Sequence, residues 1–354
     1  MPRSRNQNVR YSSGRRPAQA TSPFGGSRES GRSSGSPIEV VLATALLALV
    51  LAGAGSVLPA VRATSKPAAA AAHAAPAGVL PFATSWLDAQ PPAGLDVHAQ
   101  AGILVDVDAG QVLWERAPHT RRAPASLTKL VTAMVAADLA PLDRSVKVTS
   151  ATDADAVRRV EPTSTVMGLN AGEKLTVREL LYGVFLRSGN DAAETLGSGI
   201  VRRTRFVQLM NQKAAALQMA DSHFTTPVGL DDPAMRSTPY DLAIAAATIT
   251  TRYPALLAIS GTPSISLSRA ATHKAFDMTN FNKLVLAGPF GYQGATGMKT
   301  AYTDDAGQCM VATATRAGRR LVAVVMSSDV FFTDAIALLD YGYAQSFPIA
   351  PQPA

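Results

Sequence analysis

The chain has 354 residues, 47% of them hydrophobic and 17% charged, which suits one or two packed domains and excludes a wholly disordered polymer. Its single cysteine, Cys309, excludes an intrachain disulfide framework and any multi-cysteine metal site. The net charge of +7 sits mostly in residues 1–37, where seven arginines face one acid, Glu29; the rest is close to neutral, so no nucleic-acid partner is expected.

Residues 1–37 are rich in Ser, Gly and Arg and read as a disordered cytoplasmic tail. Within 38–61, the run Val40–Val61 has 22 residues without a charge, long enough at about 1.5 Å per residue to cross a bilayer core of roughly 30 Å. Arginines before it place everything after Val61 outside the cytoplasm, so a single-pass membrane anchor is expected. The alternative is a cleaved signal and secretion, since Pro59–Ala63 offers small residues of the kind a signal peptidase accepts. Residues 62–95 read as an Ala/Pro-rich linker, 96–346 as the folded domain and 347–354 as a short tail.

In the domain, Ala101–Val107 and Gln111–Arg116 predict a hairpin about Asp108-Ala109-Gly110, with Ile103, Val105 and Val107 on one face. Leu127–Leu139 is apolar nearly all round, which predicts a buried central helix. Thr176 and Glu179 form a capping box opening a helix to about Arg187; Phe206–Met219 predicts a third helix, and Thr238-Pro239 starts a fourth. Thr296–Tyr302, Gln308–Thr315 and Arg320–Ser327 predict an antiparallel meander, followed by a helix over Thr333–Tyr343. Strands at both ends with helices between imply an α+β domain, its antiparallel sheet built from both ends and a helical subdomain inserted.

Three motifs carry chemistry. Ser126-Leu127-Thr128-Lys129 follows Pro124, a helix-entry signal, so Ser126 is expected in the first helical turn, with an N–H lacking an intrahelical partner. Lys129 at i+3 is within reach of its hydroxyl and, desolvated, becomes a base able to activate it. Ser188-Gly189-Asn190 marks a junction between helices, where Gly and Asn favour the left-handed conformation. Lys299-Thr300-Ala301 opens a strand. Alone, each motif is also compatible with an ordinary helix start, turn or strand edge.

In this order, 62 and 111 residues apart, they form the S-x-x-K, S-x-N, K-T-G series of penicillin-recognising serine enzymes. With the flanks RRAPASLTKLVTAM, GEKLTVRELLYGVFLRSGNDAAE, HFTTPVGLDD and GMKTAYTDDAG, residues 96–342 resemble the D-alanyl-D-alanine carboxypeptidases, the low-molecular-weight penicillin-binding proteins. The resemblance implies a transpeptidase/β-lactamase-like fold, no cofactor or metal, peptidoglycan stem peptides ending in D-Ala-D-Ala as substrate and β-lactams as covalent inhibitors. It implies that Ser126 is the nucleophile, Lys129 its base and Ser188 a proton relay. Asn190 would bond the substrate amide, Lys299 supply positive charge, Thr300 meet the terminal carboxylate, and the N–H groups of Ser126 and Tyr302 form the oxyanion hole.

Three positions depart from the pattern. Ala301 stands where the third motif usually has glycine, Phe331 where an arginine is common, and Phe281 where the residue is often basic. The usual cationic help for the substrate carboxylate is therefore missing or supplied from elsewhere. A β-lactamase, a D,D-endopeptidase or transpeptidase, and a catalytically idle wall-binding homologue remain alternatives. Against the lactamase, Glu194 is the sole acid between Asp191 and Asp221 and falls in a predicted helix.

Overall fold

The computed structural model describes residues 81–90 and 94–345, so the expected tail, apolar span and most of the linker lie outside the described residues. The linker does not reach residue 95. Phe82 is buried with its ring 6.2 Å from that of Tyr240, Ala83 exchanges backbone hydrogen bonds with Gly110 and Val112, and helix α1 (Ser85–Ala89) follows. Phe82, Trp86 and Leu87 carry more apolar surface than a solvated spacer, and its burial offsets the ordering of a few residues.

The predicted hairpin is β1 (Ala101–Asp106) and β2 (Gln111–Arg116). Asp106 Oδ1 fixes its turn by accepting from the N–H groups of Asp108 and Ala109. Next come α2 (Lys129–Leu139), β3 (Ser145–Lys147), α3 (Ala154–Val160), β4 (Lys174–Thr176), α4 (Val177–Leu186), α5 (Asn190–Gly199) and α6 (Arg203–Ala216). After them stand α7 (Pro239–Arg252), α8 (Pro254–Ser260), β5 (Ser264–Leu267) and β6 (Phe276–Thr279). The meander β7 (Ala295–Thr303), β8 (Gly307–Arg316) and β9 (Arg319–Met326) and the closing helix α9 (Phe331–Ala344) complete the order.

The main sheet is antiparallel in the order β2-β1-β9-β8-β7, and the pairing of Ala101 with Met326 through Asp106 with Leu321 joins the two ends of the domain. The period-2 alternation sorts its side chains onto two buried faces. Ile103, Val105, Val322, Val324 and Met326 join the core shared with α2, α4 and α7, whereas Leu104, Leu321, Ala323 and Val325 lie under α9. The α+β expectation holds, and β7 is left at the sheet edge beside the Ser126 turn.

Local signals set most helix starts. Thr176 and Glu179 make both capping-box bonds of α4, and the Thr238 hydroxyl accepts from Asp241 N–H ahead of Pro239 at the start of α7. Several bounds differ from expectation, the third helix opening at Arg203 rather than Phe206 and the closing helix at Phe331 rather than Thr333. The central helix begins at Lys129 rather than Leu127, because residues 125–128 form a 3₁₀ turn entered through Ala125 at φ +46°. The third helix spans Arg203–Ala216 and stops short of Met219, because Gln218 turns to φ +62° and Met219 N–H bonds back to Ala214 O.

Candidate active site

The 3₁₀ turn places Ser126 at the floor of a cleft of about 1210 Å³, and one turn later Lys129 enters α2 with its side chain fully buried. Lys129 Nζ lies 2.8 Å from Ser126 Oγ, 2.7 Å from Asn190 Oδ1 and 2.8 Å from Val228 O. Burial, then the nearby charge of Lys299, hold the Lys129 ammonium well below the usual lysine range; Glu194 and Asp191 act weakly the other way. An amide oxygen and a carbonyl can only accept, so a neutral Lys129 spends both N–H groups on them and turns its lone pair to the serine hydroxyl.

Ser188 and Asn190 come from the junction of α4 and α5. The left-handed residue there is Ser188, at φ +55°, and neither Gly189 nor Asn190 as the turn signal suggested. Gly189 is required for space: a Cβ on it would stand 2.9 Å from both Met167 N and Asp191 Oδ1. Ser188 lines the cleft, and its carbonyl accepts from the Thr165 hydroxyl. Asn190, expected to bond the substrate amide, lines the cleft and is also tied to the base. Its Oδ1 receives Lys129 and its Nδ2 donates to Ser164 Oγ at 3.0 Å, which makes it first a holder of the base.

From the other side, edge strand β7 brings Thr300, Ala301 and Tyr302 to the cleft. Lys299 is buried beneath them, its Nζ donating to Thr300 O at 2.6 Å, and burial lowers its ammonium to about 7. Tyr302 is exposed, with its hydroxyl on Asp304. Ala301 is buried and pairs with Cys309, so a small side chain flanks the extra methyl group. Phe281 and Phe331 line the same cleft: Phe281 lies under the guanidinium of Arg187, 4.6 Å from it, and Phe331 stacks on Phe332 at 4.2 Å.

Four contributors were not singled out in the sequence. Val228 O anchors Lys129, and Gly229, at φ +86°, lets that segment press on the nucleophile turn, since a Cβ there would fall 1.9 Å from Ala125 O. Their only signal was the quoted flank HFTTPVGLDD. Ser164 holds Asn190, and Asp191 holds the Ser164 loop by accepting from the N–H groups of Met167, Gly168 and Leu169 at 2.8–2.9 Å. Glu194 lies in α5, bound by Arg203 through bonds of 2.8 and 2.9 Å, and is not poised over the cleft.

A buried lysine beside a serine at a helix entry, faced by an Asn-bearing junction and a Lys-Thr edge strand, defines a serine acyl-transfer enzyme of the penicillin-recognising class. Residues 87–330 match the family model described as D-alanyl-D-alanine carboxypeptidase, and the chain belongs to that family. It is 31% identical to D-alanyl-D-alanine carboxypeptidase DacF of Bacillus subtilis, over 75% of this chain and 67% of that one. To DacB2 of Mycobacterium tuberculosis it is 34% identical, over 73% and 89%, and to DacD of Escherichia coli 36%, over 68% and 60%. The crystal structure of the Streptomyces K15 DD-transpeptidase superposes with a TM-score of 0.64 at 30% identity, covering 71% of this chain and 98% of that one.

Proposed function

We propose that the chain is a serine-type D-Ala-D-Ala carboxypeptidase that removes the terminal D-alanine of peptidoglycan stem peptides. The observation that carries this reading is the hydrogen-bond set of Lys129, which leaves a lone pair on the Ser126 hydroxyl. Ser126 Oγ attacks the carbonyl between the two D-alanines as its proton passes to Lys129 Nζ. The oxyanion forms against the N–H groups of Ser126 and Tyr302, the first of which has no helical acceptor. Lys129 returns the proton to the leaving D-alanine amine, with the Ser188 hydroxyl at the cleft wall as relay. Water then cleaves the ester, and Thr300 and Lys299 favour a substrate that ends in a carboxylate. Penicillins acylate the same serine.

Loss of Ser126 or Lys129 should each cost nearly as much as loss of both, because the pair acts as a unit. Covalent labelling by a fluorescent penicillin should vanish in Ser126→Ala; labelling of that variant at the wild-type rate would overturn the assignment. The uncharged run Val40–Val61 and the arginines before it further support a domain tethered on the outer side of the cell membrane. Fractionation of the whole chain against one starting at Pro81 tests the tether.

A further inference from the structure

The cleft holds a cation that the motifs do not account for. Asn280 and Asn282 are buried and pin the segment before β7: Asn280 Nδ2 donates to Ser260 O and Thr262 O, and its Oδ1 accepts from Asn282 N–H. Asn282 Oδ1 in turn accepts from Leu284 N–H, and Phe281 N–H bonds Leu186 O at the end of α4. With Asn280, Asn282 and Leu284 turned inward, the alternate residues Phe281 and Lys283 are exposed and face the cleft. Lys283 Nζ stands 5.5 Å from the Phe290 ring centre and 5.6 Å from that of Phe332, and among the described residues no carboxylate lies within ion-pair distance of it. Aromatic faces hold an ammonium in place without neutralising it.

We propose that Lys283, seated on Phe290 and Phe332, binds the substrate's terminal carboxylate together with Thr300, in place of the cations absent at Phe281 and Phe331. All of these residues line the cleft that Ser126 opens into. An ammonium on a long stem answers a carboxylate as a point charge, so the position requires charge more than a fixed fork geometry. Lys283 is a substrate-binding residue in this account and takes no part in proton transfer.

The proposal rests on the peptidase reading, and one experiment separates the two. Full-length enzyme is assayed on a peptide ending in D-Ala-D-Ala and on the same peptide with a C-terminal amide. Wild type should favour the acid. Lys283→Gln should lower kcat/KM on the acid by about tenfold, equivalent to about 1.4 kcal/mol, leave the amide rate unchanged and so reduce the preference to what Thr300 and Lys299 supply. Lys283→Arg should restore it. The unchanged amide rate also shows that the variant is folded. Equal losses on both substrates or no loss on either would overturn the role of Lys283 and leave the peptidase reading intact, whereas a wild type indifferent to the carboxylate would overturn Lys283 and the selectivity given to Thr300 and Lys299 together. A wild type that cleaves neither peptide and takes no penicillin overturns both.

Discussion

Lys129 and Lys299 share one buried region, and a proton on either opposes a proton on the other. Lys299 lowers the Lys129 ammonium, and burial brings Lys299 itself to about 7. The neutral form of Lys129 is the base, so activity rises with pH as Lys129 loses its proton. Lys299 works as a cation, so activity falls as pH passes about 7. A bell-shaped kcat/KM profile is expected, its two apparent values belonging to the pair. Lys299→Gln should remove the alkaline limb. It should also move the acid limb to higher pH, since the charge that depressed Lys129 is gone. Stopped-flow acylation by penicillin between pH 5 and 9 checks both, and an acid limb that stays put in the variant would refute the coupling. Ser126, Lys129 and Lys299 were legible as residue types at characteristic spacings. That Asn190 and Val228 hold the base was not, because those bonds join positions 61 and 99 residues apart and exist only once α5 and the segment before α7 have packed on α2.

Strand β7 shows how far an element can be read from its sequence. Turn residues Asp305-Ala306-Gly307 and Ala317-Gly318 separate the strands of the meander, and β7, β8 and β9 begin and end within a residue or so of the expected positions. Short strands such as β3 to β6 do alternate, as Ser264–Leu267 and Phe276–Thr279 show, but over three or four residues the pattern does not stand out from its surroundings, and they were missed. Helix α4 was legible from its capping box, whereas the 3₁₀ turn at Ser126 was not, because the positive φ of Ala125 belongs to a residue with no local preference for it. At Ala301 the strand runs beside that turn, and the methyl group is buried next to Cys309. Overpacking typically costs about 1–3 kcal/mol. If about half of that falls on the transition state, Ala301→Gly should acylate roughly three- to tenfold faster. The backbone entropy of the glycine, about 0.5–1 kcal/mol, offsets part of that relief in overall stability. Second-order acylation rates with penicillin and a D-alanyl-D-alanine peptide measure the effect; an unchanged or slower rate would mean that the site is built around the alanine.

For the whole molecule, the decisive boundary lies between residues 80 and 96. Residues 81–89 bridge to β2: Ala83 N–H bonds Gly110 O, Val112 N–H bonds Ala83 O, and Gln111 Oε1 receives both the Ser85 hydroxyl and the Trp86 N–H. Phe82 is buried against Tyr240, and the Trp86 ring meets Tyr341 of α9 edge-on. The segment therefore belongs to the domain although it follows an Ala/Pro-rich stretch, and a chain begun at Asp96 loses it. Removing a buried phenylalanine alone costs about 3 kcal/mol or more, on the order of 5–10 °C in Tm for a domain of this size. A chain begun at Pro81 keeps every one of these contacts and lacks only the apolar run and what surrounds it. The Pro81 chain should leave the membrane fraction for the soluble one, with kcat/KM on D-Ala-D-Ala peptides unchanged. The Asp96 chain should melt well below it. A Pro81 chain that stays with membranes would show that the domain binds the bilayer by a surface of its own, and equal melting of the two chains would show that residues 81–89 contribute nothing to the fold.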